Sequence, residues 1–350
     1  MDRRSSSCIA SLVFALAAAA QEQPVAARSF TPPDYGAVVF VDVARLDDLG
    51  LLGELQRSPL QMLGTMFRDE FGFSIDHLER VSLFMAEAQD ASSRRPRHSI
   101  WVFEGSESVG LDQRRTDAEP ERIGNAKLFE TDAGLLCSPR PGLLLLEPKE
   151  GSGEPRLRDL LAGKAQPGVP LPTLLEVQSR PGAIAQIARV IPRDPREYRM
   201  LLPGVGEDWA EERDPPDVMS LRLAEDPKSK ELSVTLLVRF ASGDSGPARL
   251  EGRVAEALVE ARENDRVALF RELFERITTK TAGRDFVATL PLGAGREALG
   301  RLTKFALMLG SIGMTAESAV LQEVEVVEAV EVEPVPVEEK PAPPPPERRR

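Results

Sequence analysis

Residues 218–240, VMSLRLAEDPKSKELSVTLLVRF, decide the fold class. Val218 to Leu223 and Leu232 to Phe240 are rich in β-branched and aliphatic side chains, and Asp226-Pro227-Lys228 between them supplies a turn. The stretch therefore predicts a pair of β-strands. From about Pro247 the period changes. Leu250, Val254, Ala257, Leu258 and Ala261 recur at helical spacing, and Val267, Phe270, Leu273, Phe274 and Ile277 make a second stripe. The phase slips at Asn264-Asp265, which predicts one kinked helix or two. A strand from Phe286 to Leu290 and a helix from about Arg296 to Leu309 close this part. Strands beside amphipathic helices predict an α+β fold, with largely antiparallel sheets packed by those helices.

Working outward toward the N-terminus, the same ingredients recur. Ala37 to Val43, after Pro32-Pro33-Asp34, predicts a buried strand, and Leu46, Leu49, Leu52 and Leu55 a helix. Ser58 and Pro59 open a second helix, with Leu60, Leu63, Met66 and Phe67 on one face and Gly72 ending it. Strands are expected at Arg80 to Ala86 and Ser99 to Phe103, flanking a polar, Arg-rich loop. Residues 105–125 read as an exposed loop. Lys127 to Glu130 resumes the structure, and Gly134 to Cys137 and Leu143 to Glu147 flank a proline turn, Ser138 to Gly142. A short helix at Leu157 to Leu161 leads to the Pro-rich connection Pro167 to Pro172. Beyond it, Leu174 to Val177 suggests a strand, and Pro181 opens a helix whose Ile184, Ile187 and Ile191 share a face. Residues 193–216 read as irregular or as a short helix.

The two ends differ from this body. Arg3 and Arg4 precede an apolar run, Cys8 to Ala20, that closes in consecutive alanines. A positive start, a hydrophobic segment of roughly 7 to 15 residues and a small-residue cleavage site predict a signal peptide, not a membrane span. Cleavage after Ala20 is favoured over Ala27. At the other end, valine and glutamate intermix from about Val320 to Glu333, followed by Pro334, Pro336, Pro341 and Pro343 to Pro346 and then Arg348 to Arg350. Such a segment has no means of building a core, which predicts a disordered, partly extended tail. The expected organisation is signal peptide 1–20, linker 21–34, first α+β half 35–166, second half 167–319 and acidic proline-rich tail 320–350. The second half repeats the plan of the first in a varied order.

Composition excludes several classes of function. The chain has 350 residues, 42% of them hydrophobic, and a net charge of −12. Eight acids against four bases in residues 321–350, and +1 over residues 1–20, leave −9 on the body. Nucleic acid and anionic lipid are repelled by such a body. Cys8 and Cys137 are the two cysteines, so loss of the signal leaves no intramolecular disulfide, and Cys137 reads as a small buried hydrophobe. No segment after the signal is long and apolar enough to predict an integral membrane span.

Motifs that suggest chemistry fail on inspection. Gly243-Asp244-Ser245-Gly246-Pro247 resembles the nucleophile segment of chymotrypsin-like serine proteases, but neither His77 nor His98 lies in that family's histidine setting. Helix capping by Asp244 or Ser245 is the better reading. Gly293-Ala294-Gly295 has the start of a dinucleotide turn without its third glycine, and Gly163-Lys164 lacks the earlier P-loop glycine, Arg158 standing there instead. Two histidines and one mature cysteine in unrelated contexts make no metal set. Asp47-Asp48, Asp69-Glu70 and Glu211-Glu212 read as solvated acidic faces, and Arg94, Arg95, Arg97 and His98 as a solvated basic loop. No catalytic, cofactor-binding or metal-ligating residue is therefore expected, and no cofactor.

Gly36 to Leu46, then a Leu-rich helix, then Phe71-Gly72-Phe73-Ser74-Ile75-Asp76-His77-Leu78-Glu79-Arg80-Val81 before a strand, resembles exported bacterial proteins of unknown function. The resemblance covers about residues 36–103 and implies a chain built from two related α+β halves, with no active-site residue. The expected function is that of an exported, non-catalytic binding or structural protein of the cell envelope, its unidentified partner met through the tail. Two alternatives stay open: an exported hydrolase whose carboxylates assemble only in three dimensions, and a carrier of an apolar ligand.

Overall fold

Among the described residues, twelve strands hydrogen-bond into one sheet, every neighbouring pair antiparallel. The structure, a computed structural model, describes residues 29–32, 35–53, 68, 73–86, 98–110, 119–131, 134–149, 156–171, 174, 183–191, 215–242 and 245–308. All lie within one unit, Met1–Gly310. The strands are β1 (Tyr35–Asp42), β2 (Leu78–Ala86), β3 (His98–Gly105), β4 (Glu121–Ile123), β5 (Ala126–Glu130), β6 (Gly134–Arg140), β7 (Leu143–Pro148), β8 (Ala183–Val190), β9 (Pro216–Glu225), β10 (Leu232–Phe240), β11 (Thr278–Ala282) and β12 (Asp285–Gly293). Their spatial order is β11-β12-β10-β9-β8-β1-β2-β3-β7-β6-β5-β4. Among the described residues, the helices include α1 (Val43–Asp48), α2 (Leu157–Leu161), α3 (Gly246–Glu263), α4 (Arg271–Arg276) and α5, residues 295–308.

The strand order has a similar pattern on either side of the β1–β8 pair. β1, β2 and β3 run as neighbours on one side, and β8, β9 and β10 on the other. Each trio then receives the second strand of a later hairpin: β7 of β6–β7 docks on β3, and β12 of β11–β12 docks on β10. The halves meet at β1 and β8, where Val39 lies opposite Ile187. The sheet thus runs unbroken past residue 166, and the Pro-rich connection is tied back to the start of β1 by Gly168 N donating to Thr31 O and Leu171 N to Tyr35 O.

Among the described residues, helices pack on both faces of the sheet. On one, Phe103, Leu144 and Leu223 pack with Leu46 of α1, Leu273 of α4 and Ala298 of α5. The start of α3 seats Leu250 on Phe240 and Phe286 of the same face. On the other, Phe84, Ile100, Val102 and Leu145 meet Leu157 of α2, and the Tyr35 ring stands edge-on to Phe84 at 5.2 Å. Burying a side chain of this size contributes roughly 1.5–3 kcal/mol, so the two layers dominate the stabilisation of the sheet.

Local chemistry explains the expected elements. In the β9–β10 turn, Asp226 Oδ1 accepts from Lys228 N and Ser229 N, which holds the exposed carboxyl below its usual range and fixes the register. Pro141-Gly142 turns the β6–β7 hairpin, with Gly142 at φ 76°, a region glycine enters without strain. The phase slip at Asn264 is a break: α3 ends at Glu263, a 3-10 turn spans Asp265–Phe270, and α4 follows. The predicted α3 stripe is partly realised. Leu250 is buried, Val254, Leu258 and Ala261 are half-buried, and Ala257 is exposed.

Three expectations are corrected. Residues from Pro181 were expected to form a helix, but Ala183–Val190 is the central strand β8, bonded on both sides to β1 and β9. Both faces of a central strand are covered, so its residues lose the period-2 alternation, and isoleucines three and four apart imitate a helical face. The loop expected over 105–125 contains β4 and the fully buried Val109, whose carbonyl accepts from Gly142 N. Leu174, expected in a strand, is helical and fully buried. β11 was not expected: Thr278, Lys280 and Ala282 are exposed on an edge strand that has no apolar face to reveal it. The expected helix 58–72 lies outside the described residues except for Arg68, which is helical, and the signal and the tail lie outside them altogether.

Candidate functional site

The chemically distinctive groups on the α2 face come from β3 and β7, the strands that flank its apolar layer. His98, Ile100, Val102 and Glu104 alternate onto this face from β3, opposite Leu145 and Leu143 of β7, with Glu147 further along. Glu147 is buried, and its carboxylate accepts Arg156 N at 2.9 Å and Leu157 N at 2.7 Å. Arg156 gives α2 no side-chain cap, so Glu147 supplies from β7 the oxygen that the helix start requires. Burial pushes the Glu147 carboxyl up, against the pull of these two amides and of Arg156 and Arg158. His98 is buried beside it, with Nδ1 3.9 Å from Glu147 Oε1. The expectation of His98 in a solvated basic loop is thereby corrected, because it opens β3 with its ring in the core.

Glu104 occupies the other end of the same strand pair. Burial raises its carboxyl, moderated by Arg80 and Arg140, and Oε2 has no hydrogen-bond partner among the described residues. Four strand residues separate its position from that opposite Glu147, about 13 Å at the rise of an extended chain. Two acids acting together on a glycosidic bond need roughly 5–9.5 Å. The pair is too far apart for that chemistry.

Polar groups elsewhere are engaged with the fold. Arg301 of α5 is buried and donates to Leu292 O at 2.7 Å, to Glu272 at 2.9 Å and to Glu297. Arg301 and then Lys304 hold the Glu272 carboxyl down to about 2. Gln186 Nε2 donates to Ser220 Oγ at 2.7 Å between β8 and β9. Arg239 and Asp285, opposite each other on β10 and β12, form a two-pronged ion pair at 2.6 and 2.8 Å. Arg45 of α1 joins Asp48 and, on the other half of the sheet, Glu225.

The motifs resolve into structural roles. Ser245 stands at the N-cap position of α3 with Pro247 in the first turn, although no Ser245 side-chain bond caps the helix. Gly243 and Asp244 lie outside the described residues. At Gly293-Ala294-Gly295, the Arg301 guanidinium fills the bend, and a Cβ on Gly293 would stand 3.0 Å from its Nη1. That bend holds a cation of its own chain where a dinucleotide turn would hold phosphate. Gly163 ends α2, with Gly163 N donating to Leu160 O and Lys164 N to Asp159 O. Cys137 is fully buried and its thiol is pushed up to about 12. Among the described residues no cluster of His, Cys, Asp and Glu has the arrangement of a metal site. No helix among them is long and apolar enough to cross a membrane, which says nothing of a β-barrel.

No protein-family model matches the chain, and no curated protein sequence matches it. Two crystal forms of the Treponema protein TP0453 are similar in structure. Form I has a TM-score of 0.45 at 12% identity, covering 84% of this chain and 100% of that one; form III has 0.46 at 14%, covering 82% and 99%. A likeness at this level carries no residue role across.

Proposed function

We propose that the protein is an exported, non-catalytic binding or structural protein of the cell envelope. The observation that carries this reading is the use made of its buried acid: Glu147, the group best placed to act as a raised-pKa general acid, is committed to the start of α2. Glu104, the second raised carboxyl, is too distant to join it. The signal-like sequence at residues 1–20 supports export, and the acidic, proline-rich residues 320–350 offer an arm for a partner.

The test is a pull-down from envelope extracts with the full chain and with a chain lacking residues 321–350. The expected result is at least one protein or polymer that is retained by the full chain and lost with the deletion. An unchanged set of partners would remove the arm from the proposal. The hydrolase alternative is separated by assaying glycoside, ester and peptide substrates. Turnover that Glu104→Gln abolishes would establish it and overturn the non-catalytic reading.

A further inference from the structure

We draw no further inference here: the strongest candidate, the apolar row that Trp101, Leu83, Val39 and Ile187 make across β3, β2, β1 and β8, is a sheet face for which nothing among the described residues shows what covers it.

Discussion

Two buried side chains, Glu147 and Arg301, tie helices to the sheet through backbone groups. Replacing Glu147 by Ala leaves Arg156 N and Leu157 N without their acceptor, at a cost of about 1–3 kcal/mol in urea unfolding. Wild-type stability should rise on mild acidification. The seated carboxyl titrates above its unfolded value, so its contribution is fully present below the unfolded pKa and is lost as pH rises through the folded one. Arg301→Lys keeps a charge but loses the fork that reaches Leu292 O, Glu272 and Glu297 together, and should destabilise by about 1–3 kcal/mol. A loss below a few tenths would show that these bonds are replaced by water. Neither residue was singled out from sequence. Glu147 follows a run of leucines and Arg301 sits on an amphipathic helix, and nothing in the spacing shows that each is folded inward.

At the scale of elements, legibility followed burial on one side. β9 and β10, with the turn at Asp226, and α2, from Leu157 to Leu161, stand where the sequence placed them, because turn chemistry and local apolar runs mark such pieces. β8 was misread because its surroundings, not its pattern, make it a strand. Ile184 and Ala185 join the first layer and Ala188 the second, a distribution that long-range pairing alone decides. Amide exchange provides a direct check. Ala185 to Arg189, bonded to β1 and β9, should exchange among the slowest in the chain, whereas Thr278 to Ala282 on the edge strand β11 should exchange orders of magnitude faster. Comparable rates would contradict a central β8. For the candidate site, the sequence supported only exclusions, and the close approach of His98 to Glu147 arises from the pairing of β3 with β7.

For the whole molecule, the β1–β8 seam makes each half depend on the other. Residues 21–166 and 167–319 expressed separately should each expose an unpaired central strand and aggregate, and should recover a soluble complex when co-expressed. Two well-behaved monomers would show that the seam contributes little. The proposed function requires a removable leader at residues 1–20 and a proline-rich arm at residues 320–350, and has the protein work outside the cytoplasm without catalysing a reaction. Intact-mass measurement of the protein recovered from separated cytoplasmic, envelope and extracellular fractions tests the claim of export most directly. A chain beginning at Gln21, found outside the cytoplasm, is the predicted result; a chain still carrying residues 1–20 and confined to the cytoplasm would contradict it.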